Sequence, residues 1–569
     1  MIRYSLFIAA LAASASLPIW SQIPDQGVRV HVSSVFDSLL YEEDTDGDLN
    51  ITIDDPRLPG TSRGDKRFWM GDIRGESYEI TGLYFLSNLL QELTLARLSG
   101  PDTAWISPSR IFEPPSVHIS RIIREHFWDG LTRRVDRKSL PTILSDEKTV
   151  SRDGKRYLYV PFSDSAAFTY FSDAVLNDNS LNMKVVRLPE RVGYDYVKSL
   201  EGAHGILSLA LRESKGGLEG VPFVVPGGRF NEMYGWESYF ITLGLLRDKR
   251  LDLAKAMVEN FVYQINFYGK ILNANRTYYL TRSQPPFLSS MVKAVHGQLE
   301  KSGGSAAWLR KGLRAAIKEY HQVWMSPERT TAIGLNRYFD AGAGPPPEVE
   351  PGHFDGVFRR YAKQFKREPK EFERLYRSGD LKVPELDLYF VHDRCMRESG
   401  HDTSYRLEGC CADLATVDLN SLLYKTEADI AGMIEEYFGG RFELENGTYE
   451  TAAVWRFRAA KRKELINRFL WDPSRGMFFD FNVKDGRRSD YISATTLYPL
   501  WAGSASKEQA RELVERAIPL LEAPGGYREF DGRLQGAALC RPSCPSVGLS
   551  KWLGTASNVG LGRPAELRV

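Results

Sequence analysis

Cysteine is scarce in this chain: there are five among 569 residues, and two of them, Cys410 and Cys411, are adjacent. Neighbours pair poorly with one another. Cys540 with Cys544 is not followed by a second pair at zinc-site spacing, so neither a disulfide framework nor a metal cluster is expected of these or of Cys395. Charge of one sign is missing too. The 74 Lys and Arg balance 73 Asp and Glu, giving a formal net charge of +1 with no long run of either kind. That excludes a nucleic-acid or membrane-surface role resting on bulk charge. Long apolar runs are absent beyond the first residues, so no segment approaches the roughly 20 residues that span a bilayer. The opening itself, MIRYSLFIAALAASASLPIWSQ, places Arg3 before a short apolar run and then small residues. Residues 1–22 therefore have the form of a secretory signal.

What is present is a large apolar fraction, 43%, with 12% aromatics. Trp and Tyr recur beside Arg, Asp and Glu. Such mixtures suit sugars, whose apolar faces stack on rings while their hydroxyls need charged or amide partners. From about Ile80 the pattern is helical. LDLAKAMVENFVYQINFYG sets Leu253, Met257, Val258, Phe261, Val262 and Ile265 at three- and four-residue spacing, a stripe that predicts one core-facing helix. AAWLRKGLRAAIKEYHQVW, NSLLYKTEADIAGMIEEYF and AAVWRFRAAKRKELINRFLW repeat that texture, and Gly/Pro-rich stretches such as VVPGGRF and AGAGPPPEVEPGHF punctuate it. Strand-like alternation is confined to the region from Tyr157 to Val175. The fold class expected is all-α, with polar, aromatic-rich loops carrying the chemistry.

Near the start, DTDGDLNITIDD places Asp44, Asp46, Asp48, Asn50 and Asp55 at positions 1, 3, 5, 7 and 12 of an EF-hand-like loop. Hard oxygen donors at this spacing can wrap one Ca²⁺, position 7 through its carbonyl. Two departures stand out: Leu49 occupies position 6, where the usual loop has Gly, and the closing residue is Asp rather than Glu. A solvated acidic turn is the alternative reading.

RESGHDTSYR, residues 397–406, sets Asp402 among polar and ring-bearing neighbours. With VPFVVPGGRFNEMYGWESYFITLGLL, ILNANRTYYLTRSQPPF, PPPEVEPGHFD and WDPSRGMFFDFN, it resembles the trehalases, inverting glycoside hydrolases that split α,α-trehalose. The acidic loop and LSNLLQELTLAR make the chain similar to the calcium-dependent neutral trehalases of fungi. The resemblance implies an (α/α)6 barrel of six helix pairs with a short N-terminal calcium-binding segment. It implies Asp402 as general acid, and Arg229, Trp236, Glu237, Asn273, Arg282, Glu348, Arg397 and Gly400 as sugar contacts. It also implies Ca²⁺ as cofactor, trehalose as substrate, no nucleic-acid or membrane partner, and a cytosolic location. The signal-like amino terminus points instead to secretion. Sequons at Asn50, Asn275 and Asn446 bear on this choice, because glycans at the first two would crowd the acidic loop and the sugar motif, which favours the cytosol.

The chain departs from the family in two places. Glu237 stands where the family has Asp, one methylene shorter. The Gln-Trp-Asp-Tyr-Pro motif that precedes the family's general base does not occur, and the sequence after EAPGGY diverges. The C-terminal part of the barrel is therefore expected to be missing or altered, and hydrolysis impaired. The late carboxylates Glu522, Glu529, Asp531 and Glu566 sit in no matching motif. The domains expected are a calcium segment at 36–75, a catalytic barrel at 76–526 and a divergent tail at 527–569. A non-catalytic trehalose- or calcium-binding relative, and a helical-barrel glycosidase of altered substrate, remain as alternatives.

Overall fold

The computed structural model describes residues 24, 26–53, 66–146, 150–301, 306–402, 404–523 and 526–527. The signal-like segment, Asp55, Cys540, Cys544, Glu529, Asp531, Glu566 and the tail beyond Tyr527 lie outside the described residues. The chain divides into two compact units between Phe127 and Trp128.

In the first unit, the strand Val28–His31 leads into the helix Val32–Glu43 and pairs antiparallel with Thr103–Ile106. A hairpin of Arg67–Gly71 and Ser77–Thr81 follows the acidic loop. Its side chains alternate as a half-buried sheet requires, with Phe68, Met70, Tyr78 and Ile80 inward and Arg67 and Trp69 outward. The helix Leu83–Leu98 supplies Leu86, Leu89 and Leu93 to the same core, against Val30 and Leu39. Hairpin and helix thus bury their apolar faces with the helix that precedes the acidic loop, in a unit that runs to Phe127.

The second unit is mostly helical. The region Tyr157 to Val175 is a strand only at its start, in Arg156–Val160, which lies between the parallel strands Met183–Arg187 and Ile206–Leu207. From Ser165 to Asn177 it is a helix. There Asp164 accepts a hydrogen bond from the backbone N–H of Ala167 at 3.0 Å. That cap, with Ala167, Phe171 and Ala174 on one buried face, outweighs the alternation that suggested a strand.

The predicted stripe forms the helix Leu251–Tyr268, buried at every stripe position except half-buried Val262 and closed by Gly269 at φ 76°. The helices Ala306–Glu319, Val417–Phe438 and Ala452–Leu465 also follow the sequence pattern, and Leu288–Lys301 is a further one. Val417–Phe438 packs against the other three. Among the described residues, Cys395 and Cys411 are buried free thiols, and no helix is long and apolar enough to cross a membrane.

The sequon Asn275-Arg276-Thr277 is interior, each residue no more than 1% exposed. Asn275 accepts from the Met233 N–H at 2.8 Å and donates to the Leu207 carbonyl at 3.1 Å, so its amide has no place for a glycan. It fastens the segment before Trp236 to the small parallel sheet. Replacing Asn275 with Ala would strand a buried N–H and a buried carbonyl, at roughly 1–3 kcal/mol for each group left unpaired. Urea unfolding of Asn275→Ala should show that loss; an unchanged midpoint would refute the role assigned to this side chain.

Candidate active site

Loops and helix ends bring the sugar-contact candidates together from four parts of the chain. Trp236 and Glu237 open the helix Glu237–Arg247. Asn273 and Arg282 lie in the connection after the helix Leu251–Tyr268, and Glu348 in the Gly/Pro-rich stretch. Arg397 is in the last turn of the helix Pro384–Glu398, and Gly400 and Asp402 follow directly.

Arg282 is the centre of the first cluster. Its side chain, 2% exposed, donates to Asn273 Oδ1 at 3.0 Å and to Glu348 Oε1, with Asp340 Oδ2 at 3.6 Å from Nη1. Its guanidinium also lies 4.8 Å from the Tyr279 ring. Burial disfavours a charged Glu348, but Arg282 and Arg397 outweigh it and hold that carboxyl below its ordinary range. Arg397 donates to Asp393 Oδ2 at 2.9 Å and meets His353 Nε2 at 3.1 Å. A guanidinium only donates, so His353 accepts there as a neutral ring. Burial and then Arg397 lower the His353 pKa, consistent with that form.

Asp402 Oδ2 lies 4.0 Å from Arg397 Nη1. Its side chain is 45% exposed, so solvent reaches it although protein crowds around it. That crowding raises the carboxyl above the usual aspartate range. Arg397 and Arg282 oppose the rise, whereas Glu348 and Asp393 add to it. A carboxyl so placed can keep a proton for a leaving group. Glu237 is moved further: burial, reinforced by Asp402, pushes it up to about 7.

Gly400 contributes through what it lacks. Its φ is +74°, and a Cβ there would lie 2.7 Å from Trp236 Cε2. The chain can pass against the indole only as glycine. Trp236 is also flanked by His401 and Phe240, at ring separations of 5.3 and 5.9 Å. Arg229 is exposed, its guanidinium 4.8 Å from the Phe230 ring, and it takes no part in the buried ion-pair cluster.

Several buried polar atoms here have no hydrogen-bond partner in the protein: Glu237 Oε2, Glu348 Oε2 and Arg282 Nε and Nη1. Such atoms are rare in a settled interior, and their gathering marks a place for hydroxyls. The sequence reading missed Asp340, His353, Asp393 and Arg394. The spacing of Asp393 and Arg397, four apart on one helix, was the one available signal. Glu522, among the late carboxylates, is exposed on the two-residue strand Glu522–Ala523.

The acidic loop of the first unit has a geometry of its own. Carboxylate oxygens of Asp44, Asp46 and Asp48 lie within 4.8 Å of one another. Asp44 accepts from the backbone N–H groups of Gly47, Asp48 and Leu49 at 2.7, 3.1 and 2.9 Å. Asn50 donates its N–H to Asp48 Oδ1 at 2.9 Å. Leu49 takes φ 64°, the left-handed turn that a Gly makes in the usual loop. The donor set is all oxygen and fits a hard divalent cation.

The trehalase family matches residues 110–538. The cytosolic neutral trehalase of Beauveria bassiana is 43% identical over 545 residues, covering 91% of this chain and 71% of that protein. The cytosolic neutral trehalase of Neurospora crassa is 44% identical over 520 residues, with 87% and 68% covered. The solved structure of neutral trehalase Nth1 from Saccharomyces cerevisiae superposes with a TM-score of 0.70 at 44% identity, covering 74% of this chain and 78% of that one. With the site's carboxylates and guanidiniums arranged as described, these likenesses are decisive: this chain belongs to the trehalase family.

Proposed function

We propose that the chain hydrolyses α,α-trehalose to two glucose molecules with inversion, with Asp402 as general acid. The observation that carries this reading is Asp402 itself. It is crowded enough to favour protonation, reached by solvent, and set beside Arg397 in a family of trehalose hydrolases. Asp402 would give its proton to the glycosidic oxygen as the bond from C1 breaks. Water would enter from the opposite face, its proton taken by a second carboxylate about 6.5–9.5 Å away. Glu348 is occupied by Arg282, while Glu529, Asp531 and Glu566 lie outside the described residues.

Arg282, Arg397, Asn273, Glu348 and Glu237 would grip hydroxyls, and Trp236, held in place by Gly400, would offer a stacking face. Arg229 would join them at the open side. The helical body is read as the family's barrel of six helix pairs. The relatives named cytosolic, and an interior Asn275 unable to carry a glycan, favour the cytosol for this chain as well.

In the first unit we propose that Asp44, Asp46 and Asp48, with the Asn50 carbonyl and Asp55, hold Ca²⁺. The ion would supply only charge neutralisation and loop order. What the chain supplies is the Asp44 carboxylate, which gathers three backbone N–H groups and fixes the turn.

Glucose release from trehalose, compared with maltose and sucrose, tests the substrate. Trehalose should be preferred, and Asp402→Asn should lower the rate by about 10²–10⁴-fold. A preference for either other disaccharide would defeat the assignment.

Glu237 generates a pH prediction. It is neutral below about 7 and charged above it. A carboxylate accepts sugar hydroxyls better than a neutral acid. Calorimetric affinity for trehalose should therefore strengthen as pH rises through about 7, and Glu237→Gln should flatten that step. A step that persists in the variant belongs to another group.

For calcium, the thermal midpoint should rise on adding Ca²⁺, and Asp44→Ala with Asp46→Ala should remove the rise. If the double variant still responds to the ion, the loop is only a solvated turn.

A further inference from the structure

We propose that Glu398 is a positioning residue for the sugar site: its buried carboxylate sets the segments that carry Arg282 and Asp340 against the helix end that carries Arg397. The proposal rests on the reading that Arg282 and Arg397 grip trehalose. Glu398 is wholly buried, so it does not itself meet a substrate. Its two oxygens divide their work between distant parts of the chain. Oε1 accepts the backbone N–H of Ser283 at 2.9 Å and a charged bond from Arg329 Nη2. Oε2 accepts the backbone N–H of Phe339 at 2.7 Å.

The two N–H donors are informative by position. Ser283 follows Arg282, and Phe339 precedes Asp340, the carboxylate 3.6 Å from Arg282 and 3.2 Å from Arg394. Glu398 itself follows Arg397. One carboxylate thus ties three segments whose adjacent side chains belong to one ion cluster. The arrangement is rigid in each direction: Arg329 also donates to the Phe339 carbonyl at 2.7 Å, and the Ala341 N–H donates to the Thr281 carbonyl at 3.2 Å. Charge-assisted bonds of this length hold geometry more firmly than neutral ones. If the carboxylate is lost, the Ser283 and Phe339 amides lose their acceptor, and Arg282 and Arg397 lose their common reference. Misplacing a gripping group by about 1 Å can cost on the order of 10²-fold.

A buried ion pair that includes no sugar-contact candidate provides the comparison. Glu427, also interior, accepts from Arg462 at 2.8 Å and from the Tyr320 hydroxyl at 2.7 Å, and none of these three is a sugar-contact candidate. Trehalose binding by calorimetry, and KM and kcat where turnover is measured, would be compared for the unaltered chain, Glu398→Gln and Glu427→Gln, with melting followed for each. Both variants should melt lower. Only Glu398→Gln should bind trehalose at least ten-fold more weakly and raise KM, while Glu427→Gln keeps the original KM. Should Glu398→Gln fail to fold, Glu398→Asp keeps the charge facing Arg329 but withdraws it by about one bond length, ~1.5 Å. It should show the same weakening in a folded protein. Unaltered affinity in a folded Glu398 variant, or equal loss in Glu427→Gln, would overturn the proposal alone. Failure of the unaltered chain to bind trehalose would overturn the sugar reading and the proposal with it.

Discussion

A guanidinium taken out of water stays charged, and it must be met by anions placed to receive its fixed fork of donors. The interior around Asp402 is organised by that demand. Arg282 faces Asp340 and Glu348, Arg394 faces Asp340, Arg397 faces Asp393, and Arg329 faces Glu398. On the other side of the acid, Arg406 lies between Asp418 and Asp480, and Tyr338 donates to Asp418 at 2.7 Å. Asp480 in turn accepts the Val417 N–H at 2.8 Å, at the start of the helix Val417–Phe438. Asp402 is therefore bracketed by two buried ionic clusters, four residues before it and four after. Burying such pairs contributes little net stability, because desolvation offsets most of the attraction. What they provide is position, and a short loop carrying an acid needs position above all.

The same clusters set the acid's protonation. Crowding alone would raise Asp402 strongly, and arginines alone would hold it ionised. Arg397 approaches to 4.0 Å, outside hydrogen-bonding range, so the pull is Coulombic and partial. The raised direction survives. Glu237 lacks a comparable cation, and burial carries it further, to about 7. Two carboxyls in one site thus differ because of where the arginines stand. The added methylene of Glu237, the chain's departure from the family's Asp, falls on the carboxyl that no arginine restrains.

The sequence made some of this legible and hid the rest for physical reasons. Helices whose apolar stripes face a core announced themselves, Leu251–Tyr268 most clearly. Asp402, Arg282, Arg397 and Glu348 were reached through a family resemblance, and the structure does gather them. The partners that hold them were invisible, since a hydrogen bond between Glu398 and Ser283 spans 115 positions and leaves no local pattern. The extent of the first unit was not legible, because an apolar stripe such as that of Leu83–Leu98 says that a helix is buried, not against what. The Tyr157–Val175 reading held only as far as Val160, for a local reason: Asp164 caps a helix over the remainder.

The unpartnered atoms of the site explain why its order is built into the scaffold rather than left to the ligand. Glu237 Oε2, Glu348 Oε2 and two nitrogens of Arg282 are buried without a hydrogen-bond partner in the protein. Left to relax, such groups would turn toward one another or toward backbone, since a buried polar atom without a bond is unfavourable. Two of the three parent side chains are prevented because each is already fixed by its other atoms: Glu348 through Oε1 on Arg282, and Arg282 through Nη2 on Asn273 and Glu348. In these two, one end is spent on geometry and the other is left for a hydroxyl. A sugar hydroxyl can donate to a carboxylate oxygen and accept from a guanidinium, so a single ring can satisfy both kinds of orphan at once. The free site is thus held in a state that ligand relieves, and the clusters on either side of Asp402 are what hold it there.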